Sequence, residues 1–148
     1  MLKINFEELE FDPVCQVVTA TASYQGKPFT GTAFLQDTGH DEYGEYVYLN
    51  GNAHGRWFFL NTKNNNLISE EFYENGFPIR EHRTWFENGK IKKIIRYENS
   101  EIVFSQEWNK DEILIVEIDN AKQVEQEWYD NGQIFRLVEK IAKVDISR

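Results

Sequence analysis

The stretch Trp85-Phe86-Glu87-Asn88-Gly89-Lys90-Ile91-Lys92 decides the fold. An aromatic pair runs through an acid into Asn-Gly and out into alternating Lys and Ile. Asn-Gly is favoured at the centre of a two-residue hairpin, because a type I′ turn needs φ > 0 at both central positions. Aromatic and β-branched flanks suit a pleated surface. The pattern returns at Phe72-Tyr73-Glu74-Asn75-Gly76 and at Trp128-Tyr129-Asp130-Asn131-Gly132. Val47-Tyr48-Leu49-Asn50-Gly51 and Arg96-Tyr97-Glu98-Asn99-Ser100 are weaker copies, the second with Ser100 in place of glycine.

Working outward, further turn signals stand at Gln25-Gly26, Thr38-Gly39, Asn64-Asn65-Asn66, Lys110-Asp111 and Asp119-Asn120. Turns therefore recur about every twelve residues, the spacing of short strands in a meander. A longer column of aromatics, Phe34, Phe58 (or Trp57), Trp85, Trp108 and Trp128, recurs once per two turns, so each repeat is one hairpin. The expectation is an all-β fold: an antiparallel meander of roughly ten strands, in one curled sheet or an open barrel. One domain spans 1–148, with non-repeat strands over 1–23 and hairpin repeats over 24–138. Residues 112–119, Glu-Ile-Leu-Ile-Val-Glu-Ile-Asp, are apolar on both faces and predict a buried central strand. Trp85, Trp108 and Trp128 read as a core column. Tyr73, Phe86, Tyr97 and Tyr129 read as residues of an exposed recognition surface.

These units resemble the variant MORN-repeat family, including the YwqK-type antitoxins. The family's unit is an aromatic, Tyr, any residue, Asn-Gly, any residue, a hydrophobic residue and Lys. Residues 85–92 match it closely, and Trp128 to Ile134 and Phe72 to Gly76 match well. The resemblance runs from about Tyr24 to Val138 and is strong over 72–97 and 125–137. It implies a non-enzymatic binding scaffold, and, for the bacterial members, neutralisation of a toxin encoded beside them.

Charge narrows the partner. The chain of 148 residues carries 25 Asp and Glu against 16 Lys and Arg, a formal net charge of −9. Such a surface repels phosphate, so nucleic acid and anionic membranes are poor partners. The same field speeds encounter with a basic protein. The single cysteine, Cys15, permits no intramolecular disulfide, which fits a reducing cytoplasm. The first ten residues lack the basic start and apolar run of a signal peptide.

Nothing in the sequence builds a catalytic centre, a metal site or a cofactor site. Of the three histidines, His40 sits in an acidic loop, while His54 and His82 fall in strand contexts. Cys15 lies in an apolar run with no basic neighbour to lower its pKa. There is no Gly-rich phosphate loop and no nucleophile elbow. The expected docking site is the acidic, tyrosine-bearing segment formed by Asp37, Asp41, Glu42, Tyr43, Glu45 and Tyr46, which joins steering charge to aromatic anchors. The plain alternative for these residues is a solvated hairpin end. The functional expectation is an antitoxin or immunity protein that covers the active site of a basic toxin such as a nuclease. A repeat scaffold for another cellular partner and a ligand-binding β-barrel are the alternatives.

Overall fold

Four tight turns punctuate the chain at intervals of 25, 25 and 24 residues. Both central residues have positive φ at Gln25-Gly26 (50° and 75°), Asn50-Gly51 (49° and 83°), Asn75-Gly76 (49° and 85°) and Asn99-Ser100 (50° and 63°). Between them lie wider turns with a single residue at positive φ, at Asp41, Asn65 and Gly89, and a fourth, at Glu112, follows the last. The two kinds alternate, and each kind gathers at its own end of the sheet. The computed structural model describes residues 1–12 and 20–120, and the strands at 124–128 and 134–139. Cys15, Tyr129, the Asn131-Gly132 turn and the side chain of Trp128 lie outside the described residues.

The chain is nearly all β. In order, the strands are β1 (Lys3–Asn5), β2 (Glu10–Phe11), β3 (Ala22–Tyr24), β4 (Lys27–Pro28), β5 (Gly31–Asp37), β6 (Glu42–Leu49), β7 (Asn52–Ala53), β8 (Gly55–Asn61) and β9 (Leu67–Glu74). They continue with β10 (Phe77–Pro78), β11 (Arg80–Trp85), β12 (Ile91–Glu98), β13 (Glu101–Trp108), β14 (Leu114–Asp119), β15 (Val124–Trp128) and β16 (Ile134–Glu139). A short 3₁₀ turn, Phe6–Glu8, follows β1, with Asn5 Oδ1 accepting from Glu7 N at 2.9 Å.

One long sheet runs β1-β5-β6-β8-β9-β11-β12-β13-β14-β15-β16, with β7 added to β6 and β10 to β9. Among the described residues every pairing is antiparallel except that of β1 with β5. Strands β1 and β16 stand at opposite ends of this order, so the sheet is open among the described residues and not a closed barrel. The small sheet β2-β3-β4 joins its amino-terminal end, where Ala22 N donates to Gly51 O at 2.7 Å and Ala22 shares a buried cluster with Ile4, Ala33 and Tyr48.

Successive repeats are tied at the tight-turn end. Gly51 N donates to Phe29 O at 2.8 Å, and Gly76 N donates to Ala53 O at 2.8 Å. Gly51 has no room for a side chain, since a Cβ there would stand 2.8 Å from Ala22 O and from Thr21 Cγ2. Burial is uneven along the sheet. Ile4, Leu9, Ala22, Phe29, Ala33 and Tyr48 form the buried cluster, and Phe6, Tyr24, Tyr46 and Trp57 pack on it.

From β8 onward most strand residues are half-buried, as in a sheet one layer thick. Strand β14 shows this. All six of its residues are half-buried, and Glu112 is an exposed turn residue, so 112–119 is not a buried central strand. Its apolar residues alternate across two faces that both stay partly open to solvent.

The aromatic column also differs from the expected one. Trp57, not Phe58, joins a ladder that crosses the sheet through Tyr48, Trp57, Tyr73, His82 and Tyr97, with ring centroids 4.6–5.3 Å apart. Trp85 and Trp108 are half-buried and outside it. Tyr73, expected on an exposed surface, is 7% exposed, and Tyr97 is half-buried. Side-chain alternation explains the exchange: Tyr73 shares its face with Trp57, because Gly55 pairs with Tyr73 and Trp57 with Glu71. Residues two apart on one strand share a face, and that rule outweighs the visual match of one tryptophan to another.

Candidate functional site

The two faces of the sheet carry different chemistry. The face opposite the ladder is laced with ion pairs: Lys3 with Glu45, Arg56 with Glu70 at 2.6 Å, and Glu81 with both Arg83 and Arg96. Arg56 also lies over the Phe58 ring at 4.5 Å, and Arg96 over Phe104 at 5.5 Å. The hydrogen bond from Arg96 holds the Glu81 carboxyl below its usual pKa, against a smaller upward push from burial. These half-exposed pairs contribute little each, roughly 0–1 kcal/mol. They do neutralise the acids they touch.

The six residues expected to dock a partner do not form one surface. Only Asp41 lies in the turn; Asp37 ends β5, and Glu42, Tyr43, Glu45 and Tyr46 are all in β6. Strand alternation sends Tyr43 and Glu45 to the ion-pair face, where Tyr43 Oη donates to Glu45 Oε1 at 2.7 Å. Burial raises the Glu45 pKa, but the hydrogen bonds from Lys3 and Tyr43 outweigh it and leave it lowered. Tyr46 points to the ladder face, against Phe6 at 4.9 Å and Trp57 at 4.9 Å. Asp37 is paired with His40 Nδ1 at 2.7 Å and also accepts from Gly39 N at 2.9 Å. That His40 bond lowers the pKa of Asp37 and raises that of His40. Asp41 reaches Lys63 at 3.1 Å. Glu42 alone of the four carboxylates has no ion pair among the described residues.

At this wide-turn end, Trp85 and Phe86 line a cleft of about 200 Å³ with His40, Glu42, Asn61 and Leu67. The turns around it are held by Asx hydrogen bonds: Asn61 Oδ1 accepts from Lys63 N, Asn88 Oδ1 from Lys90 N, and Asn109 Oδ1 from Asp111 N, each at 2.9 Å. No group of three or more His, Cys, Asp or Glu among the described residues is arranged to hold a metal ion. No helix among them is long and apolar enough to cross a membrane.

The largest run of acidic residues lies elsewhere in the sequence. Residues 98–130 contain ten Asp and Glu against two Lys, a net of −8 out of the −9 of the whole chain. This run covers β13 to β15. Glu98 and Glu101 even sit directly opposite each other across the Asn99-Ser100 turn, where like charges destabilise a hairpin. The repeat motifs do not mark this block, because they mark turns, whereas most of its acids are spread along the strands between them. The site is thus an open, mostly antiparallel sheet of hairpins, with ion pairs across its first strands and an acid-rich sequence over β13 to β15, where Glu112 pairs with Lys90 at 3.2 Å. The chain matches no family model, no curated protein and no solved structure.

Proposed function

We propose that this chain is an antitoxin or immunity protein, which binds a basic bacterial toxin, such as a nuclease, in the cytoplasm and covers its active site. One observation carries the reading: the concentration of nearly all the net negative charge in residues 98–130. An enzyme that grips phosphate needs a basic cleft, and an acidic strand surface complements it. Long-range attraction then speeds encounter and selects against acidic partners. The uncompensated Glu98–Glu101 pair is a local cost that a cationic partner relieves. The hairpin joining β5 to β6 is a second docking element, with Glu42 as its uncommitted carboxylate. The resemblance of the repeat units to the variant MORN-repeat family supports a binding role without chemistry of its own.

The test is co-expression with the product of an adjacent toxin-like reading frame. The reading predicts that the two proteins co-purify and that growth is restored. The absence of both co-purification and protection would overturn it, and a scaffold for another cellular partner would take its place.

A further inference from the structure

The ladder face holds a pocket that the charge argument does not use. It has a volume of about 130 Å³ and lies between β6, β8 and β9, lined by Tyr46, Trp57, Phe59, Ser69 and Glu71. The rings stand edge to face: Tyr46 meets Trp57 at 4.9 Å and 88°, and Phe59 at 5.7 Å and 73°. Gly44 makes this arrangement possible, because a Cβ there would come within 3.0 Å of the Phe59 ring. Trp57 is fixed by its indole N–H, which donates to Val47 O at 2.8 Å. Glu71 accepts from Tyr73 Oη at 2.6 Å. No Lys, Arg or His among the described residues forms an ion pair with it, whereas Glu45, Glu70 and Glu81 on the other face all have one. A carboxylate beside three aromatic rings, with no cation of its own, matches the requirements of a positively charged head on an alkyl stem. The ring faces attract the charge and the carboxylate neutralises it.

We propose that this pocket takes the ammonium or guanidinium end of a lysine or arginine side chain presented by the partner protein. The inference rests on the reading of the partner as basic, and it adds the anchor that steering alone lacks. Charge complementarity at Glu71 selects the occupant: an uncharged side chain would leave the carboxylate uncompensated.

The experiment titrates N-acetyl-lysine methylamide into the full chain while the Trp57 indole N–H is followed by NMR. N-acetyl-arginine methylamide is the second cation and N-acetyl-norleucine methylamide the uncharged control. The lysine or arginine probe is expected to shift the Trp57 signal saturably, and norleucine to leave it in place. Glu71→Gln, which keeps an acceptor for Tyr73, should weaken cation binding about two- to fivefold, the factor a half-exposed charge contact supplies. Phe59→Leu should weaken it as well. Equal shifts from norleucine would make this a plain apolar pocket, and no shift from either cation would remove the site. A shift on concentrating the chain without probe would make a second copy the occupant and overturn the proposal. Because the probes are single amino-acid derivatives, these outcomes are separate from the toxin test. Cation binding without toxin protection would remove the antitoxin reading, and protection without cation binding would remove the pocket.

Discussion

Trp57 donates to Val47 O and touches Tyr46, Tyr48 and Tyr73. Truncating it removes a ring from the middle of the ladder and one of the two hydrogen bonds that Val47 O accepts, the other coming from His54 N. Trp57→Ala should therefore cost about 3 kcal/mol, the low end for a large aromatic, since the ring is half-buried. Trp85→Ala, at the rim of the cleft, should cost less than half of that. Urea denaturation of both variants checks the order, and a costlier Trp85→Ala would restore the column of tryptophans as the core. The ladder tyrosines make a second prediction. Burial, and then the charge of Glu71, push the Tyr46 phenol up to about 12, and burial raises Tyr48 and Tyr73 as well. A phenol whose folded pKa is raised contributes stability that is whole below the ordinary value of about 10 and is lost as pH rises toward the folded one. Unfolding should therefore set in between pH 10 and about 12, together with tyrosinate absorbance. Ionisation of Tyr46, Tyr48 and Tyr73 near pH 10 with the fold intact would contradict it. Aromatic composition made a half-buried sheet legible in advance. Which aromatic faces which way was not, because a column read at a mean spacing carries no information on parity, and one residue of slip exchanges Trp57 for Phe58.

Turns are the elements where local chemistry and structure agree most closely. At Asn50-Gly51 and Asn75-Gly76, positive φ at both residues is what Asn-Gly favours. The best motif match, Asn88-Gly89, is different. Only Gly89 has positive φ, and Phe86 N donates to Lys90 O across a wider loop. The dipeptide marks a turn in both cases, but the number of residues bridged depends on how the neighbouring strands pair, which the motif does not encode. Ser100 is strained by this measure, being at φ 63°. Ser100→Gly should stabilise the protein by about 0.5–1 kcal/mol. Gly51→Ala should cost about 2–4 kcal/mol, because it adds a clash with Ala22 O to the strain of positive φ. Gly89→Val should cost about 1–2 kcal/mol, more than an ordinary surface change, since its nearest neighbour is 3.6 Å away and only the backbone resists. Equal melting temperatures for Gly51→Ala and Gly89→Val would show that the inter-repeat stacking at Gly51 is not tight.

Over the whole molecule, charge and core are separated. The buried cluster lies with the amino-terminal strands, where acids meet Lys3, His40 and Lys63. The acidic block lies over β13 to β15, toward the other end of the strand order. Net charge was legible from composition, and its placement was not read from motifs because acids in an acidic chain look alike until their partners are known. Glu45 shows the consequence: as a strand residue bonded to Lys3 and Tyr43, it holds the sheet together, and reversing it tests stability more than docking. Glu98, Glu101 and Asp111 are exposed and in no ion pair among the described residues. The account is tested most directly by the association rate of the chain with the adjacent toxin candidate as salt rises, for the wild type and for Glu98→Lys, Glu101→Lys, Asp111→Lys combined. The wild-type rate should fall steeply as the Debye length shrinks past about 8 Å, and the triple variant should start at least about tenfold slower with a flatter salt dependence. A wild-type rate indifferent to salt, or a triple variant that associates as fast as the wild type, would contradict an acidic docking surface on these strands.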